Sequence, residues 1–208
     1  MQAGNDEASA DGSSAALDAE LRRRYGLFGP GVMGTDRDVV MQNDQVRVTF
    51  NTRGGLPVAA TLNDGYTRYG SDEPVSLWVR EASEMDVSWE VPGVGRVGFN
   101  DLHFAPISEG PQQVVMESRL GANRAIRLVH RLEGYQVFTD ISFVGVDSAT
   151  ESDRTFTWSA LGQRNEKGLA WERQHSAIYY LELGEERDYL SDGQEKEETL
   201  ESELSWMA

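Results

Sequence analysis

Residues 46–62 read "VRVTFNTRGGLPVAATL". Val46, Val48 and Phe50 alternate with Arg47, Thr49 and Asn51. That period of two puts apolar side chains on one face of an extended strand and polar ones on the other. Gly54 and Gly55 follow; lacking a Cβ, they reach positive φ without steric cost, so the chain can turn there. "LPVAATL" then returns as a second strand. A hairpin with one wet face is the building unit of an antiparallel sheet, and the chain repeats it.

Working outward, the same signature recurs in "VSLWVRE", "DVSWEV", "RVGFNDLHF", "QVVMESRL", "RAIRLVHRL", "YQVFTDISFVGV", "RTFTWSAL" and "SAIYYLEL", with turn residues between them. The clearest hairpin is "RLVHRLEGYQVFTDISF" (127–143), with Glu133-Gly134 as its two-residue turn. Upstream, Leu17, Leu21 and Tyr25 recur at helical spacing before Gly26, which predicts one short helix over 14–25. No strand–helix–strand rhythm appears. The expected fold is therefore all-β, a mainly antiparallel sandwich with a short N-terminal helix. Residues 1–13 read as a disordered leader, 14–37 as a linker helix and loop, and 38–208 as one β-sandwich domain.

Composition removes several function classes. The 208 residues include 35 acidic and 19 basic side chains, a net charge of −16, and no cysteine. Thiol chemistry, disulfides and cysteine-type zinc sites are excluded. A nucleic-acid partner needs a basic face, and none is evident. Only Lys167 and Lys196 are lysines; so acidic and lysine-poor a surface resembles that of proteins from high-salt habitats. No stretch approaches the roughly 20 apolar residues that span a bilayer. The polar opening "MQAGNDEASADGSS" lacks a signal peptide's apolar centre, so this stretch reads as a soluble piece.

Candidate chemistry is sparse. "GPGVMG" (29–34) matches G-x-G-x-x-G in letters, but a helix precedes it, and the dinucleotide fingerprint needs a strand before it and a helix after. The histidines are His103, His130 and His175. His130 shares a strand face with Ile126, Leu128 and Leu132 and is expected to point inward. His175 reads as a strand-edge residue. No histidine pair has the spacing of a helical zinc site, no G-x-S-x-G elbow is present, and no catalytic residue, metal ligand or cofactor is expected. The five tryptophans, Trp78, Trp89, Trp158, Trp171 and Trp206, are each expected in the core. Tyr179 and Tyr180 fall on opposite faces of one strand, so one is core and the other can meet a partner. A carboxylate run from Glu182 to Glu203, which includes Glu185, begins just beyond them.

Several segments together resemble the large periplasmic domain of YidC-type bacterial membrane protein insertases. These are "ELRRRYGLFGP", "VRVTFNTRGGLPVAATL", "NEKGLAWERQHSAIYYLELGEERDYLSDGQEKEE" and "LSWMA", in that order, covering residues 19 to 208. The resemblance implies a β-supersandwich of galactose mutarotase-like architecture, at the periplasmic face of the inner membrane. It implies a non-catalytic role in insertion and folding of membrane proteins, with the Sec translocon, its accessory membrane proteins and nascent clients as partners. Tyr179, Tyr180 and Glu185 are the expected partner contacts. The alternative on the same sandwich is a sugar-binding or mutarotase-like module, which needs a glutamate and a histidine converging on one cleft.

Overall fold

The computed structural model describes residues 7–63, 65–146, 153–175, 177–184, 186–191 and 204–207. They form two compact units, one of residues 1–66 and 74–163, the other of 67–73 and 164–208. Every strand pair is antiparallel. The all-β expectation holds.

In the first unit, helix α1 (Glu7–Tyr25) runs into a 3₁₀ turn at Gly26–Val32. The helix starts earlier than residue 14, because the alanines at 8, 10, 15 and 16 favour helix over the disorder that polarity suggests. Its end agrees with the expected Tyr25. The turn drives Phe28 into the core against Trp89, with ring centroids 5.3 Å apart. The glycines of "GPGVMG" serve packing. A Cβ on Gly31 would lie 2.6 Å from Ser118 Oγ and 2.7 Å from Leu120 Cδ2.

Three sheets follow. The first is β1 (Asp38–Gln42), β2 (Val46–Asn51) and β3 (Pro57–Leu62) in sequence order. The turn between β2 and β3 places Gly54 at φ 83° and Gly55 at φ 70°. The second sheet has the order β10-β4-β5, from β4 (Glu84–Val91), β5 (Gly95–Gly98) and β10 (Arg154–Ser159). The third is a meander of β6 (Ala105–Glu109), β7 (Gln113–Gly121), β8 (Arg124–Glu133) and β9 (Gln136–Val144). Their inner faces share one core that includes Met41, Val48, Phe50, Trp89, Phe99, Phe104, Met116, Ile126 and Leu128.

The second unit is a three-stranded sheet of order β12-β11-β13, from β11 (Ala177–Glu182), β12 (Asp188–Ser191) and β13 (Leu204–Met207), with the short helix α2 (Leu169–His175).

Four local expectations are corrected. "VSLWVRE" is not a strand: only Ser76 bridges to Thr61, Leu77 is exposed, and Arg80–Ala82 forms a 3₁₀ turn. "RVGFNDLHF" stops as a strand at Gly98, where Asp101 accepts the Gly98 N–H and folds Phe99–Asp101 into another 3₁₀ turn. The hairpin turn sits one residue later than expected, at Gly134-Tyr135, because Glu133 pairs with Gln136. Positive φ at the first loop position alone, Gly134 at 58°, is the type II′ pattern that suits the strand twist. His175 ends α2 and is not on a strand.

Candidate functional site

The expected partner residues lie in the second unit, on and after its central strand. β11 is hydrogen-bonded on both sides, to β12 and to β13. The two ladders are staggered: β12 pairs with Ala177–Tyr180 and β13 with Tyr180–Glu182, so only Tyr180 is flanked on both sides, and among the described residues β12 and β13 are the outer strands. What β11 chiefly offers is side chains. Alternation separates its two tyrosines: Tyr179 is 39% exposed and Tyr180 only 7%.

Tyr179 faces Tyr189 across the ladder, ring centroids 5.6 Å apart, and the Arg187 guanidinium lies 5.0 Å from the Tyr179 ring. A cross-strand aromatic pair of this kind stabilises a short sheet by roughly 0.2–1 kcal/mol. With a cation over one ring it also makes an amphipathic contact patch: apolar ring faces, phenolic O–H groups and one positive charge. Ile178 and Leu183 are exposed nearby in sequence. Tyr180 turns the other way and donates its O–H to Asp188 at 3.4 Å. Glu185 lies outside the described residues.

A second feature of this unit is a shallow depression lined by Arg68, Tyr69, Arg164 and Glu166. Arg164 donates to the carbonyls of Glu166 and Lys167, at 3.2 and 2.8 Å. The Tyr69 N–H donates to the Asn165 carbonyl at 2.8 Å. The Tyr69 bond ties residues 67–73 to the segment before α2, while the arginine closes a local turn over 164–167.

His130 and His103 occupy structural positions in the first unit. His130 is fully buried on β8, its ring 4.4 Å from that of Phe50 and its Nδ1 2.9 Å from Thr139 Oγ1. The inward expectation holds. Burial disfavours the imidazolium and lowers its pKa to about 4, with the Gly55 backbone acting weakly the other way. His103 Nε2 lies 2.9 Å from the Thr35 carbonyl, and its ring fills the space over Gly34. Neither ring has a carboxylate among its hydrogen-bond partners here. Among the described residues no group of three His, Asp or Glu side chains could hold a metal ion.

The core expectation for tryptophan is corrected in part. Trp89 is buried, but Trp158 and Trp171 are exposed, since β10 is an edge strand and Trp171 stands on the two-turn α2. Sequence reasoning missed the outer face of the meander. There Glu117, itself buried, accepts Arg127 at 2.7 Å and Arg119 at 3.0 Å. Arg127 first, then Arg119, hold that carboxyl below its usual range against the cost of burial. The spacing of Glu117 and Arg119 on one strand face was its only signal.

Comparison with known proteins points the same way as the sequence resemblance. A membrane protein insertase YidC of Porphyromonas gingivalis is 29% identical over 191 residues, covering 89% of this chain and 30% of that protein. The chain is similar to YidC insertases over about nine-tenths of its length. YidC of Parabacteroides distasonis is 23% identical over 193 residues, and YidC of Amoebophilus asiaticus 22% over 206. Those matches cover 90% and 92% of this chain. The chain spans only about a third of the length of the YidC proteins it matches. No family model and no solved structure matches it. No helix among the described residues is long and apolar enough to cross a membrane.

Proposed function

We propose that residues 38–208 form the periplasmic, non-catalytic domain of a YidC-type insertase, with 14–37 as its linker. The domain docks partners of the secretion machinery, the Sec translocon or its accessory membrane proteins, and so assists insertion and folding of inner-membrane proteins. The observation that carries this reading is the Tyr179 patch: a partly exposed tyrosine with its ring tilted against Tyr189 and Arg187 over it, on the central strand of the small unit's sheet. Exposed aromatic and arginine side chains are the residue types that anchor protein interfaces. β11 is the central strand, so contact runs chiefly through its side chains, while main-chain pairing is left to the outer strands β12 and β13. The carboxylates from Glu182 to Glu203 disfavour anionic headgroups, so the contact is with protein.

The test is site-specific photocrosslinking in the full-length protein, with probes at Tyr179, Glu185 and Tyr189 against probes at Arg53 on the first hairpin. The expected result is partner adducts at the first three positions. Adducts only near Arg53 would refute the assignment. For the enzyme alternative, anomer interconversion by the chain that is lost in His103→Ala would show that a catalytic cleft exists.

A further inference from the structure

We infer that the first unit holds a second, independent docking site, an open seam between β9 and β10 that takes an extended apolar peptide segment with basic side chains. β9 is the last strand of the meander and β10 the outer strand of its own sheet, and neither has a partner on its free side among the described residues. The two strands meet at one end, where the Arg154 guanidinium lies 4.5 Å from the Phe143 ring. Register fixes which faces point inward. Arg154, Phe156 and Trp158 pair with Trp89, Val87 and Met85, and Phe143 and Ile141 pair with Ile126 and Leu128. All of those partners belong to the shared core or pack against it.

Yet the next inward side chains along each strand from the Arg154–Phe143 contact stay wet. Ile141 is 38% exposed, Phe156 56% and Trp158 41%. Residues on a core-facing register should be covered; here the core face runs out into solvent between two unpaired edges. One extra strand would satisfy both features. Its N–H and C=O groups would pair with the free side of β10, and alternate side chains would cover Phe156, Trp158 and Ile141. Charge selects the occupant. β4, β9 and β10 carry Glu84, Asp86, Glu90 and Asp140 against Arg154; Arg96 pairs with Asp86 and Arg131 with Asp140, which leaves a small negative excess on these strands in a chain of net charge −16. That field attracts a cationic segment and opposes a second copy of this chain.

The probe is a nine-residue peptide of alternating valine and lysine with blocked ends, titrated into the 208-residue chain. Amide chemical shifts and calorimetry read the binding. Saturable binding with shifts confined to β9, β10 and β4 is expected. N-methylation of alternate amides, Glu in place of Lys, and Phe156→Ser in the protein should each weaken binding at least tenfold. Because Phe156 is more than half exposed, its replacement leaves the core intact, and the N-methylated peptide tests the same point on the unaltered protein. Absence of saturable binding would overturn the proposal. So would binding indifferent to N-methylation, shifts confined to residues 164–191, or dimerisation of the chain through β10 without peptide. None of these outcomes depends on the Tyr179 patch, so the two docking sites fail separately.

Discussion

His130 makes the stability of this fold depend on pH in a window where ordinary carboxylates contribute little. The ring is buried between Phe50 and Thr139 and takes up a proton only near pH 4, against an ordinary value of 6.5. A folded-state pKa below the unfolded one means that the unfolded chain binds the proton first. The stability that depends on neutral His130 is therefore complete above pH 6.5 and drains away as pH falls towards 4. Each tenfold difference in proton affinity is about 1.4 kcal/mol, so the full effect is about 3 kcal/mol, most of it lost between pH 7.5 and 4.5. Asp38, Glu109 and Glu117 have lowered values, through Arg80, Arg37 and Arg127 respectively, and lose their contribution mainly below pH 4.5. The windows hardly overlap. Urea denaturation at both pH values, on the natural chain and on His130→Gln, isolates the histidine. Gln keeps a polar partner for Thr139 but cannot titrate. The variant should be less stable at pH 7.5, and its loss between the two pH values should be smaller by about 2–3 kcal/mol. A difference under about 0.5 kcal/mol would refute the claim that His130 is buried neutral.

Other outcomes follow from the same structure. Leu128→Ala, at a fully buried site opposite Met116 and Ile141, should cost about 2–5 kcal/mol by urea denaturation, and a cost near zero would mean the face is assigned backwards. Gly31→Ala puts a methyl within 2.6 Å of Ser118 Oγ and should cost about 1–3 kcal/mol; a neutral result would show that the turn at Gly26–Val32 is loosely seated. Raising sodium chloride from 0.1 to 1 M shortens the screening length from about 10 to about 3 Å and should raise the melting temperature of a chain of net charge −16. A flat or falling melting curve would count against self-repulsion.

What the sequence disclosed was whatever depends on neighbours along the chain. The alternation in residues 46–51 became β2 with Val46, Val48 and Phe50 buried, and alternation also separated Tyr179 from Tyr180. The β8–β9 hairpin was legible to within one residue of its turn. "LAWERQH" was missed because two turns of helix are too short to show a period, and "VSLWVRE" misled because its residue types suit a strand that its surroundings do not supply. The exposure of Phe156 and Trp158 was out of reach, since whether a strand stands at an edge is decided by distant segments. The contact of Tyr179 with Tyr189 needed the β11–β12 register, which no local pattern encodes.

The composition of the second unit sets an order of assembly. Its residues 67–73 leave the ribosome early, but their partners begin only at residue 164, and β13 at 204–207 later still. At about 5–20 residues per second, roughly 7–27 s of synthesis separate Glu73 from Met207. Throughout that interval residues 67–73 are without their complement. The small unit is thus the last part of the chain that can be completed.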